Sequence, residues 1–234
     1  MEGVEEASFG MVESEELQFQ LPEGVSVAGK CWGDERATIN VLAMHGYLDS
    51  AATFDRLAPQ LVHYSHFAIR VVAFDFSGQG KSSHRADPTN YFTAWVAEGP
   101  QLFLSSVLSP SNLLAALTVA DAMGWATFCI MAHSMATSIA VITAGALPGR
   151  VEKMILLDHI GPTSIPPEKT PSYLEQALQQ RLNVLQRQSK TYPDIESLVE
   201  RMRNSDAQLS DASVRILMTR TVQRVADGVK FSQQ

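Results

Sequence analysis

Cysteine is scarce in these 234 residues. Cys31 and Cys129 are the only two, too few for a disulfide framework, and Cys129 falls inside an apolar strand pattern where it reads as a small core residue. No stretch of 18 or more apolar residues occurs, so no transmembrane helix is expected. No Lys/Arg cluster occurs and the formal net charge is −7, so neither nucleic acid nor an anionic membrane is expected as a partner. The N-terminus lacks a basic region and carries Glu2, Glu5, Glu6, Glu13, Glu15 and Glu16 instead, which is not the composition of a secretory signal. These absences point to a reducing, cytoplasmic setting, without excluding a peroxisome or another organelle.

What is present is enough for one good-sized domain, or a domain with a small appendage: 45% of the residues are hydrophobic. Residues 1–15 are acidic and poor in large apolar side chains, and a disordered tail is expected there. Residues 16–21 alternate polar and apolar, and after the turn Pro22-Glu23-Gly24 residues 25–32 form the return strand of an antiparallel edge hairpin. Residues 38–44, 67–74, 126–131 and 151–157 read as continuous apolar strands. Between them lie a helix capped by Asp49 or Ser50 with Phe54, Leu57, Ala58 and Leu61 on one face, a helix over 111–123 stopped by Gly124, and a helix over 135–146. Residues 84–110 give a broken pattern. Strand and helix in alternation, with continuously apolar strands, imply a mostly parallel α/β sheet covered on both faces.

After residue 160 no strand signal is read. Pro162, Pro166, Pro167 and Pro171 punctuate a linker, and three helices are expected. The first has a stripe of Leu174, Leu178, Leu182 and Leu185, the second one of Ile195, Leu198, Val199 and Met202, and the third, capped by Ser210 or Asp211, runs to about Val225. The expected division is a tail at 1–15, an α/β core at 16–161 and a helical cap or lid at 162–234.

Four polar features fall at the carboxyl ends of the strands, where open parallel sheets gather their reactive groups: His45-Gly46, Asp75, Ser134 and Asp158. The run from Cys129 to Ala140 drives a strand into Ser134 and leaves it as a helix of small residues. That is the sequence shape of a nucleophile elbow, although the usual flanking glycines are Ala132 and Ala136; the bland reading is that Ser134 only caps the helix. A working elbow needs an exposed hydroxyl and the Met135 N–H aimed at a developing oxyanion. The loop His45-Gly46-Tyr47 supplies a second oxyanion N–H, or is a turn that needs Gly46; His45 reads as a structural hydrogen-bonding residue. The loop after Asp75, with Gly78 and Gly80, lacks the spacing of a phosphate loop, because the required first glycine would stand at Asp75. It reads as a shaped turn in which Asp75 bonds neighbouring backbone. His133 reads as packed or locally hydrogen-bonded, and His63 and His66 as surface residues. No metal or cofactor site is expected.

Together, His45-Gly46-Tyr47-Leu48-Asp49-Ser50, the run from Asp75 to His84, Ala132-His133-Ser134-Met135-Ala136 and Ile155-Leu156-Leu157-Asp158 make the chain resemble the α/β-hydrolase superfamily over roughly residues 16–160. The segments Gln208-Leu209-Ser210-Asp211 and Val225-Ala226-Asp227-Gly228-Val229 resemble the cap of the serine hydrolase-like proteins. The resemblance implies Ser134 as nucleophile, the N–H groups of Tyr47 and Met135 as oxyanion hole, cofactor-free cleavage of an ester or related acyl bond in a small-molecule substrate, and a lid that shapes acyl selectivity. It implies a sheet of about six strands, with the family's last two missing. The stretch 95–109 reads as an insertion. In the family the order is Ser, acid, His, and here the last histidine is His159, so a C-terminally truncated and inactive hydrolase is expected, with Asp158 as an acid in an alternative position. The alternative is a non-catalytic relative that binds a ligand or partner.

Overall fold

The computed structural model describes residues 12–84, 110–162, 166–172, 175, 176, 179, 190–205 and 209–232. Residues 1–11 of the expected tail, the insertion at 95–109 and most of the leucine-striped helix at 174–185 lie outside these residues; the rest of the tail is ordered, with Val12 packed on the core and Glu15 opening the first strand.

Six strands form one sheet: β1 (Glu15–Gln20), β2 (Ser26–Trp32), β3 (Ile39–Met44), β4 (Ile69–Phe74), β5 (Phe128–His133) and β6 (Val151–Leu157), in the spatial order β1-β2-β4-β3-β5-β6. The first two are antiparallel additions; β4, β3, β5 and β6 run parallel. The sheet is mostly parallel, with the six strands expected. β3, β4 and β5 are largely apolar because both their faces are buried, and the period of two shares the side chains between the faces. Leu42, Met44, Val72, Phe74, Ile130 and Ala132 face α2 (Pro110–Ala122) and α3 (Met135–Ala146). Val41, Ala43, Val71, Ala73 and Met131 face Phe54, Ala58 and Val62 on the other side.

Gly124 stands just past α2 with φ +72, the left-handed turn that ends a helix. The expected helix after Ser50 divides in two. Ser50 accepts the N–H of Ala52 and caps a 3-10 helix (Ala51–Phe54), and α1 (Leu57–Tyr64) begins three residues later. β5 starts at Phe128 rather than 126, where the Phe128 N–H first finds a partner in the Arg150 carbonyl.

The C-terminal unit differs from the helices-only expectation. α4 (Ile195–Ser205) and α5 (Asp211–Thr221), the latter capped by Ser210, are followed by a hairpin of β7 (Val222–Val225) and β8 (Gly228–Phe231). The third helix therefore ends at Thr221, not near Val225. Val222–Val225 folds back on Gly228–Phe231 through the two-residue loop Ala226-Asp227, and this pairing outweighs helical periodicity here. Tyr192 pairs with Val229 through both backbone bonds at 2.8 Å and extends the ribbon. Leu198, Val199, Val214, Met218 and Val229 bury one another in a small core separate from the two against the sheet.

Candidate active site

The chain moves from β3 outward to β4 and then back across to β5, so β3 and β5 flank the point where the strand order reverses. Crevices at such points, outside the carboxyl ends of the strands, are where open α/β sheets bind ligands. Met44 pairs with Ala132 across them, which brings the loop after β3 beside the turn after β5.

Ser134 occupies that turn with φ +50 and ψ −116. A non-glycine residue there carries roughly 1–3 kcal/mol of backbone strain. Its side chain makes no capping hydrogen bond, so the helix gains nothing from serine as a cap. The turn is held by backbone instead: the Ser134 N–H donates to the Leu157 carbonyl at 3.0 Å, and the Ser134 carbonyl accepts from the Thr137 N–H and hydroxyl at 3.0 and 2.7 Å. Ala132 stays outside the left-handed region, and the methyls of Ala132 and Ala136 are fully buried in the core beneath the turn. The Met135 N–H opens α3 and has no acceptor within the helix.

Gly46 lies against the elbow. A Cβ there would stand 3.1 Å from His133 Nδ1 and 3.4 Å from Ser134 Cβ. Tyr47 and Leu48, both more than half exposed, continue the loop, with Leu48 at φ +58. Of the two readings of His133, packed or locally hydrogen-bonded, the structure favours the first: its Nδ1 is buried without a hydrogen-bond partner among the described residues.

Both ends of the 45–51 loop are pinned by two consecutive residues at the end of β4. The Phe76 N–H donates to His45 Nε2 at 3.1 Å, and the His45 ring, fully buried, donates from Nδ1 to the Gly46 carbonyl at 2.8 Å. Burial pushes the His45 pKa down; Asp75 and Asp49 oppose this without reversing it, so the ring is neutral. At the other end the Ala51 N–H donates to Asp75 Oδ1 at 2.7 Å. The Lys81 N–H donates to Asp75 Oδ2 at 2.9 Å, and Gly80 leaves room for it, since a Cβ there would fall on the carboxylate. Ser82 donates to the Asp75 carbonyl at 2.6 Å and accepts from the Ala28 N–H, stitching the Gly78–Gly80 turn to β2.

The carboxylate of Asp75 has a further partner that sequence reasoning missed. Arg220, from the last turn of α5, places Nε 3.2 and 3.0 Å from Asp75 Oδ1 and Oδ2. Its Nη2 stands 2.9 Å from Oδ2, an ion-pair distance off the hydrogen-bonding direction, and its Nη1 donates to both oxygens of Glu16 at 2.7 Å. Burial raises the Glu16 carboxyl, but Arg220 and Lys81 outweigh it and hold it below its usual pKa. Nothing in the sequence links residues 16, 75 and 220, which lie on three separate elements.

Asp158 follows β6 as Ser134 follows β5, since His133 pairs with Leu157; it is exposed, with φ +76. His159 and Ile160 are exposed beside it. No cluster of His, Cys, Asp and Glu able to hold a metal ion forms among the described residues. Among them no helix is long and apolar enough to cross a membrane.

Comparison with known proteins gives the family. The family described as alpha/beta hydrolase fold matches residues 39–207. A serine hydrolase-like protein of Dictyostelium discoideum is 31% identical over 212 residues, covering 90% of this chain and 53% of its own. Serine hydrolase-like protein 2 of Homo sapiens is 30% identical over 232 residues, covering 98% and 66%. The chain thus spans between about half and two thirds of the length of these curated relatives. Among solved structures, a hypothetical protein of Pseudomonas aeruginosa PAO1 superposes with a TM-score of 0.76 at 30% identity, over 94% of this chain and 70% of that one.

Proposed function

The chain belongs to the α/β-hydrolase fold family and its relatives are serine hydrolase-like proteins; from that membership we propose that it is a serine hydrolase whose nucleophile is Ser134 and whose substrate is a small molecule with an ester or related acyl bond. The observation that carries this reading is the backbone of Ser134. A strained φ of +50 at a serine that makes no capping bond is the conformation of a nucleophile elbow, in which the hydroxyl stands above the sheet.

In this reading the Ser134 oxygen attacks the acyl carbon, and the carbonyl oxygen takes up the negative charge. The Tyr47 and Met135 N–H groups donate to that oxygen, held in advance by the loop and the helix start, which is worth several kcal/mol where water is excluded. The leaving group departs with a proton, an acyl ester forms on Ser134, and water releases the acid. Asp158, one residue past β6, is the candidate acid in this reading. The helices and hairpin after residue 190 bear on the apolar part of the acyl group.

The proton acceptor is the component these 234 residues do not supply: all six histidines lie at or before His159, upstream of the place the base takes in the Ser–acid–His order. We therefore propose that this chain by itself does not turn over. Positioned oxyanion donors retain part of the rate enhancement when a base is missing, so slow acylation of Ser134 is still expected. The same shortage of a base favours a second reading, a ligand-binding relative without catalysis.

A fluorophosphonate probe separates the two. Labelling that is lost in Ser134→Ala supports the nucleophile; labelling absent from the unmodified chain, or equal in both, leaves the binding reading.

A further inference from the structure

Arg220 and Asp75 are both removed from water, with 2% and 0% of their side chains exposed. Burying an ion pair is costly, and replacing it with apolar residues is often neutral or favourable, so a pair of this kind calls for a reason beyond stability. Asp75 already accepts the Ala51 and Lys81 N–H groups, one on each oxygen, and Arg220 supplies the charge that a buried carboxylate needs beside them. Arg220 also adds a connection. It arrives from α5, on the C-terminal unit, and its Nε approaches the same Oδ1 that receives the Ala51 N–H. Ala51 opens the 3-10 helix that closes the Tyr47 loop, and α5 packs against that helix, with Arg56 donating to Ser213 at 3.1 Å.

We propose that Arg220 is a positioning residue for the oxyanion loop: its guanidinium, delivered by the lid, orients the Asp75 carboxylate that fixes Ala51, so the seating of α5 sets the placement of the Tyr47 N–H. Glu16 holds the far side of the guanidinium through Nη1 and keeps it turned toward Asp75. A rigid fork that meets two carboxylates at once is a property of arginine that lysine lacks. The lid, in this arrangement, does more than cover the acyl group: it conditions the polar half of the site from behind. The inference rests on the reading of Tyr47 as an oxyanion donor, but loop order is measurable without hydrolysis.

The test is amide hydrogen exchange on the full chain, comparing the unmodified protein with Arg220→Gln and Arg220→Lys. Peptides covering 45–54 are expected to exchange at least fivefold faster in Arg220→Gln and about threefold faster in Arg220→Lys, with β3 and β5 peptides unchanged. Faster exchange confined to 211–221, with 45–54 unaltered, would overturn the proposal and leave Arg220 a lid anchor alone. If the glutamine variant does not fold, the lysine variant decides by the same criterion; if neither folds, Arg220 is a residue of global stability and the proposal fails. Probe labelling of Ser134 is scored separately, so an unlabelled Ser134 removes the hydrolase reading while the exchange result stands on its own.

Discussion

The backbone N–H of Phe76 donates to His45 Nε2, and this bond decides which ring nitrogen carries the proton: Nε2 accepts, so Nδ1 holds the hydrogen that bonds the Gly46 carbonyl. The folded ring is held neutral by burial. In the unfolded chain the same histidine takes up a proton below a pKa of about 6.5. The unfolded state then binds more protons than the folded one, so stability is complete above about pH 6.5 and falls as pH drops below it, by up to about 1.4 kcal/mol per pH unit. Chemical denaturation between pH 7 and 5 is expected to show this slope, and His45→Gln is expected to flatten it.

Ser134→Gly should separate strain from chemistry. Glycine adopts a φ of +50 freely, so relief of a penalty of roughly 1–3 kcal/mol outweighs the extra entropy of an unfolded glycine, itself about 0.5–1 kcal/mol. A net gain of about 1 kcal/mol in urea unfolding is expected, together with complete loss of probe labelling. A loss of stability would mean that the serine side chain makes a contact worth more than the strain.

Gly46→Ala has the opposite signature. The new methyl would meet His133 Nδ1 at 3.1 Å and Ser134 Cβ at 3.4 Å, contacts that push the loop away by tenths of an ångström and leave the core untouched. The cost in stability is expected to stay within about 1–3 kcal/mol. Acylation of Ser134 is expected to slow by roughly tenfold or more, since misplacement on this scale is expensive at a reacting centre. Equal labelling rates for the two proteins would show that the loop does not serve the elbow.

Gly228→Ala tests how the C-terminal unit is held. Gly228 has φ +137, and a Cβ there would fall within 2.1 Å of the Tyr192 carbonyl oxygen. The substitution cannot be absorbed without breaking the Tyr192–Val229 pairing. Limited proteolysis is expected to cleave the segment after residue 190 several times faster, while near-ultraviolet circular dichroism of the sheet domain persists.

β3, β4 and β5 are legible because burial on both faces leaves continuous apolar runs, β1 because its side chains alternate, and the boundaries of α3 and β6 follow from Ser134, Pro148-Gly149 and Asp158. The elbow and the His45–Gly46 turn could be read from residue types at strand ends. The hairpin after Thr221 was not read, although Asp227-Gly228 is the dipeptide that marks such turns; the helical stripe before it drew the pattern onward. The clamp of Glu16, Asp75 and Arg220 was beyond reach for another reason. Its members are separated by 59 and 145 positions (75 − 16 and 220 − 75), and each taken singly is an ordinary charged residue. Only the packing of α5 on the 3-10 helix brings them together.

β6 closes the sheet on one side, pairing with β5 and with no other strand among the described residues, and it shows Met154 and Ile155 about two-fifths to one-half exposed. Among the described residues its outer backbone has no strand partner beside these apolar side chains, the pairing of features that templates strand addition between molecules. Ile155→Lys is expected to raise the concentration at which the chain stays dispersed, measured by light scattering, because a charge on such an edge opposes strand addition.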